Sequence, residues 1–245
     1  MAAIAFANKF TTGNNNVTAP SVTCVTSGSC KLIVLGLTIS GSSAMNPAPT
    51  FGSDVMTKIG STVATTEGNV EMYYLVTNTA NRNGTISYSN KGGYYHTCDV
   101  STYNSTANVA FETSGSTFSL SGQTCGLFLN MQSNTGSVCV NQYHSGYSSL
   151  TSLANNGTVL YKLDRGVLIS GSAYLIDTNA TSCNMYWSTP AADDFAMIQA
   201  AFISATTPAT GDITSWNTVA FASMTSLDSV SLSSLGTINT IDTGN

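Results

Sequence analysis

The sequence predicts an all-β fold: an antiparallel β-sandwich or jelly roll followed by a C-terminal tail of 11-residue repeats. Three observations predict it. Short runs rich in β-branched and aromatic residues recur along the chain, punctuated by Gly, Asn and Ser. Helical periodicity is weak throughout. The composition breaks at "SATTPATGDI", Ser204 to Ile213, where Pro208 and Gly211 mark a linker. This divides a sandwich domain over 1–204 from a tail over 212–245, with a linker at 205–211.

The strand series opens at Ala3–Ala7 and Val17–Thr26. Lys31–Ser40, "KLIVLGLTIS", contains the longest apolar run; it is strand-sized and far short of the 18 or so residues that cross a bilayer. Val55–Ile59, Val70–Thr77, Gly84–Ser89 and Tyr94–Tyr103 follow. In "VEMYYLV", Val70, Met72, Tyr74 and Val76 share one face of a strand. The series continues at Ala107–Thr113, with Val109 and Phe111 facing together, then at Thr124–Gln132, Ser137–Tyr143, Thr158–Leu163 and Val167–Asp177. Cys183–Ser188 and Phe195–Ser204 complete it. Two windows carry a helical alternative, Gly52–Ile59 and Ala191–Ala201. The second would place Asp193 and Asp194 near a helix start, but it reads better as the closing strand of a sheet.

Charged residues make up 8% of the chain, against about 25% in ordinary domains. With 42% hydrophobic residues, 11 Tyr and 9 Phe, the chain still has material for a packed core. Solubility then falls to hydroxyls and amides. The seven Lys and Arg, in a net charge of −5, form no cluster. That excludes nucleic acid, whose binders neutralise phosphates with grouped cations, and a membrane surface gripped by a basic face. The N-terminal "MAAIAFANKF" lacks the basic and long apolar regions of a signal peptide. A protein whose signal has been removed, or a virion protein released by lysis, fits that start.

The six cysteines contain no CxxC, so zinc-ribbon and thioredoxin-like arrangements are not expected. In "CVTSGSCKLIVL", Thr26-Ser27-Gly28 suits a three-residue hairpin loop. That register sets Cys24 opposite Cys30 and predicts a disulfide between them. No catalytic signature occurs: there is no HExxH, GxSxG, GxGxxG or P-loop. His96 and Cys98 lie two apart on one strand, without the offset a nucleophile and its base need. The twelve acids show no pairing that would mark a glycosidase, and Asp193-Asp194 lack a D-x-D-x-D-G loop. The protein is therefore expected to be no enzyme and to carry no cofactor or metal. Aromatic doublets place one ring inward and one outward on a strand. Tyr94, Tyr147 and Trp187 are the candidates for stacking on a glycan.

The tail reads as three units: ITSWNTVAFAS, MTSLDSVSLSS and LGTINTIDTGN. Ile213, Met224 and Leu235 share the first position; Trp216, Leu227 and Ile238 share the fourth. Val219, Val230 and Ile241 share the seventh, and Phe221 and Leu232 the ninth. An 11-residue period suits a right-handed coiled coil, but the composition is β-like and poor in helix formers. So short a segment cannot build its own core. These eleven apolar positions are expected to dock on the sandwich, on a sister subunit or on another protein.

"GSDVMTKIGSTVATTEGNVEMYYLVTNTANRNGTISYS" resembles β-sandwich proteins of phage and metagenomic origin. The resemblance rests on a Met-Thr-x-x-Gly turn (Met56 to Gly60), a "YYLV" strand (Tyr73 to Val76), an Asn-rich loop and a Thr/Ser-rich strand. The tail is similar to their C-terminal Ser-Trp/Ile-Asn-Gly-Val-Ala repeats, with Thr218, Ser229 and Thr240 where those have Gly. It covers 51–89 and 212–242, under a third of the chain. It implies a virion surface component: capsid decoration, head fibre or tail-associated protein. The expected function is a non-enzymatic structural one, as a homo-oligomer or with other virion proteins. The alternatives are a carbohydrate-binding adhesin module and a subunit of an extracellular filament.

Overall fold

A computed structural model describes residues 4–14, 19–26, 29–40, 47–77, 83–89, 95–131, 136–146, 154–164, 169–177 and 181–205. They belong to one unit, Met1–Ala205; the second unit, Thr206–Asn245, lies outside them. The strands are β1 (Ala5–Asn14), β2 (Ser21–Cys24), β3 (Cys30–Ser40), β4 (Thr50–Phe51), β5 (Asp54–Val55), β6 (Thr57–Lys58), β7 (Val63–Ala64) and β8 (Gly68–Val76). They continue as β9 (Gly84–Ser87), β10 (His96–Asn104), β11 (Asn108–Asn130), β12 (Ser137–Ser145), β13 (Ala154–Asn155), β14 (Thr158–Asp164), β15 (Ile169–Asp177) and β16 (Ser182–Ala205). All the pairings are antiparallel.

The expected all-β antiparallel architecture is present, but three sheets replace the expected pair. A central sheet runs β1-β10-β3-β8-β6, with β7 also on β8. A small sheet runs β2-β9-β4-β5, and a third runs β11-β16-β12-β15-β14. The reason lies in "KLIVLGLTI". A strand apolar on both faces needs cover on both, and a two-sheet sandwich covers only one. Leu32 and Val34 meet Val138, Val140, Ile198, Ala200 and Phe202 of the third sheet. The alternate residues Ile33, Leu35, Leu37 and Ile39 pack with Val22, Phe51 and Ile86 of the small sheet. On β8, Val70 and Met72 lie in the first of these cores with Tyr74 and Val76 against it, so the alternation expected for "VEMYYLV" holds.

The third sheet is curled into a half-barrel. The expected pairs 107–113 with 124–132, and 183–188 with 195–204, prove to be two continuous strands, β11 and β16. They pair from Asn108↔Ala205 to Asn130↔Ser182, with register shifts at Phe111/Thr113 and on both sides of Gly122. The Ser/Gly run between the expected strands forms bulges that bend the ribbon, where turns had been expected. Beyond the bend β16 changes partner. Phe195 to Ile203 pair with β12, while Trp187 and Ser188 pair with β13. Gly122 makes the corner possible, because a Cβ there would lie 2.5 Å from the Phe195 ring. The window Ala191–Ala201 is strand, as its composition favoured.

The curl encloses its own core of Trp187, Tyr143, Met185, Met197 and Leu129. A disulfide, Cys139–Cys183, joins β12 to the first residues of β16 across it, with Cα atoms 6.6 Å apart. The predicted Cys24–Cys30 bond is not formed; both thiols are free and buried. The hairpin assumed for them does not exist. Cys24 stands opposite Gly84 of the small sheet and Cys30 opposite Asn104 of the central one. Each Sγ turns to a carbonyl of its own strand, Val22 O at 3.8 Å and Leu32 O at 3.7 Å.

One charge pair is buried in the central sheet. Glu71 is fully buried, and its Oε1 accepts from Lys58 Nζ at 2.8 Å and from Thr62 Oγ1 at 2.5 Å. Its Oε2 accepts from Tyr73 OH at 2.7 Å. Removing the cation leaves a buried carboxylate uncompensated, which costs about 3–5 kcal/mol where both partners are deeply buried. Lys58 keeps 30% of its side chain exposed, and the two hydroxyl donors remain. We therefore expect Lys58→Met to cost about 2 kcal/mol in urea unfolding, and Lys58→Met with Glu71→Gln to recover most of it.

Candidate assembly interface

A row of exposed large apolar side chains follows the curled sheet's outer strand. Phe118 is 61% exposed, Leu120 63% and Phe128 59%. All three lie on β11, which pairs with β16 alone among the described residues. Its other edge therefore presents N–H and C=O groups in a row, the template to which a further strand adds. Natural edges are guarded with Lys, Pro or bulges. β11 has its bulges near Gly122, but from Thr113 to Asn130 it carries no charged residue. Tyr186, 40% exposed, extends the patch from β16, opposite Gly126. At the start of β11, Phe111 stacks on Tyr74 at 5.3 Å and is anchored against Phe202.

The sequence offered part of this. "STFSLS" alternates apolar and polar residues, a strand signal, but the flanking Gly and Ser hid it as a gap between strands. The docking residues expected in the tail, Ile213, Trp216, Val219, Phe221, Met224, Leu227, Val230, Leu232, Leu235, Ile238 and Ile241, lie outside the described residues. So do Tyr94 and Tyr147. Trp187 does not face outward as expected for a glycan platform. It is fully buried, stacks on Tyr143 at 5.4 Å, and donates from Nε1 to Asn141 Oδ1 at 3.1 Å. The doublet is split as a strand requires, but in the opposite sense: Tyr186 is the outward ring.

The free cysteines and both histidines are buried. Burial pushes the Cys24 thiol up to about 12, with Cys30 adding to the shift, and raises Cys30, Cys98 and Cys125 as well. A protonated, buried thiol is a poor nucleophile. His144 is fully buried, its Nδ1 is 3.2 Å from Ile169 O, and burial lowers its pKa. His96 is buried edge-on to Tyr88, with ring centroids 5.7 Å apart. Asp193 and Asp194 are engaged locally: Asp194 accepts from Thr66 Oγ1 at 2.7 Å and Gly146 N at 2.9 Å, and Asp193 accepts from Ser145 Oγ. Among the described residues no group of three His, Cys, Asp or Glu side chains gathers as a metal site would need.

The chain matches no family model, no curated protein and no solved structure. Its structure defines a class: an all-β protein of antiparallel sheets with one disulfide.

Proposed function

We propose that the protein is a non-enzymatic structural component of a virion surface, of jelly-roll-like design, that works by associating with copies of itself or with other virion proteins. The observation that carries the association is β11, a long sheet edge that is free of charge from Thr113 to Asn130 and displays Phe118, Leu120 and Phe128. The virion assignment draws on the resemblance at 51–89 and 212–242. A disulfide suits an oxidising environment outside the cell, which supports a virion or extracellular location. The low charge suits a surface that must pack against others of its kind without repulsion. The same edge favours one alternative, a subunit of an extracellular filament joined by strand addition.

Sedimentation velocity over a concentration series tests the association. The full chain is expected to self-associate, and Leu120→Lys in the full chain to weaken that at least ~10-fold by placing a charge on the edge. A chain ending at Ala205 separates the contribution of the tail. A full-length protein that stays monomeric, alone and with isolated particles, would overturn the proposal.

A further inference from the structure

Polar contacts interrupt the largely apolar interface between the central and curled sheets: Thr97 Oγ1 donates to Ser170 Oγ at 2.7 Å, and a polar seam gathers around Gln142. From the central sheet it receives Thr38 and Asp99, and from the curled sheet Gln142 and Ser172. Gln142 enters a slot left by Gly36, where a Cβ would lie 2.0 Å from Gln142 Oε1. Gln142 Nε2 donates to Thr38 Oγ1 and to Asp99 Oδ2, both at 3.0 Å, which uses both of its protons. Asp99 Oδ1 accepts from Thr11 Oγ1 at 3.2 Å. Two polar atoms of the seam have no protein partner: Gln142 Oε1 and Ser172 Oγ. Both residues are buried, at 1% and 3% exposure, and they stand directly opposite one another on β12 and β15. They border a single small cavity of about 10 Å³, together with Gly36, Asp99, Ser101 and Leu160.

We propose that this cavity is a built site for one structural water, held by Gln142 Oε1, Ser172 Oγ and the Asp99 carboxylate. The volume corresponds to about one water, and a buried water makes about three hydrogen bonds. The chemistry balances: the water donates to the amide oxygen and to the carboxylate, and accepts from the Ser172 hydroxyl. Without it, an amide oxygen and a hydroxyl are desolvated with nothing in exchange. A metal cation fits less well. Three oxygens are too few for a hard cation that takes six to eight, and one of them is a hydroxyl that can donate instead. The water adds Ser172 to the direct bond between Gln142 and Asp99, and so extends the polar contact by which the two sheets are joined.

A high-resolution crystal structure of the full chain tests this, alongside Ser172→Ala, which keeps the packing and removes one partner. The expected result is a solvent peak within about 2.7–3.2 Å of both Gln142 Oε1 and Ser172 Oγ, weakened in the variant. A dry cavity overturns the proposal. So does a peak with shorter contacts of about 2.3–2.6 Å to more than four oxygens, the signature of a cation. A peak of undiminished strength in Ser172→Ala would remove Ser172 from the site and overturn the assignment as stated.

Discussion

Replacing both Cys139 and Cys183 with Ala is expected to cost about 4 kcal/mol of stability. The bond closes a loop of 44 residues, and in the chain-entropy account a loop of that length removes about 4 kcal/mol of freedom from the unfolded chain. For a domain of this size the midpoint of thermal unfolding should fall on the order of 10 °C. The structural reason is the curl. The first residues of β16 are held by β11, by the short β13 and by this bond, whereas its later residues have β12 and β11 along their length. Loss of the bond should therefore be felt first near Cys183, as faster amide exchange at Cys183–Trp187 than at Phe195–Phe202. Both sulfurs are buried, so a reductant should act only once the fold opens. The wild type in reductant and denaturant should then converge on the double variant. An unchanged melting midpoint in the variant would show that the curl is held by packing alone. The remaining thiols are protonated by burial, so reshuffling onto Cys24, Cys30, Cys98 or Cys125 should not mask the result.

How much of this could be read in the chain depends on which interactions were local. The strands were legible almost everywhere, because alternation and β-branched runs are properties of a few adjacent residues. "KLIVLGLTI" reads as a strand, although the sandwich expected for it covers only one of its two apolar faces. What was not legible is long-range. Cys24 and Cys30 lie six positions apart and read as a hairpin, yet each belongs to a different sheet. The bond that does form joins residues 44 positions apart, and nothing in their flanking sequence pairs them. The Tyr186-Trp187 doublet fixed that one ring is inward, but which one depends on the curl that puts Tyr143 and Asn141 beside Trp187. The edge patch on β11 was hidden by glycines and serines that read as turns and act as bulges. The polar seam gave no signal, because Gly36, Asp99 and Gln142 lie on three strands brought together only by the packing of two sheets.

Asp99→Asn is expected to stabilise the protein at neutral pH and to do nothing at acid pH. Asp99 is 3% exposed. Burial raises its pKa from 3.8 to about 6, partly offset by the hydrogen bonds from Gln142 and Thr11. A raised folded-state pKa means that the folded protein holds this proton more tightly than the unfolded chain does. Between about pH 4 and pH 6 the folded state is therefore the one with more protons bound, and this group makes stability fall as pH rises. Above pH 6 the full penalty stands, about 3 kcal/mol for a shift of this size. Below pH 4 Asp99 is protonated in both states and contributes none. Asparagine keeps the shape and removes the charge. Its amide nitrogen needs an acceptor, and a flip of the Gln142 amide would turn Oε1 to meet it, with Thr38 donating to the same oxygen. Urea unfolding of both proteins from pH 4 to pH 8 gives the test. The difference between variant and wild type should be near zero at pH 4, grow through pH 6 and level off above it, at up to about 3 kcal/mol. Other carboxylates contribute equally to both proteins and cancel in that difference. A difference that stays constant with pH would mean that Asp99 is ionised at no special cost, and that the seam between the sheets is wetter than a single bound water allows.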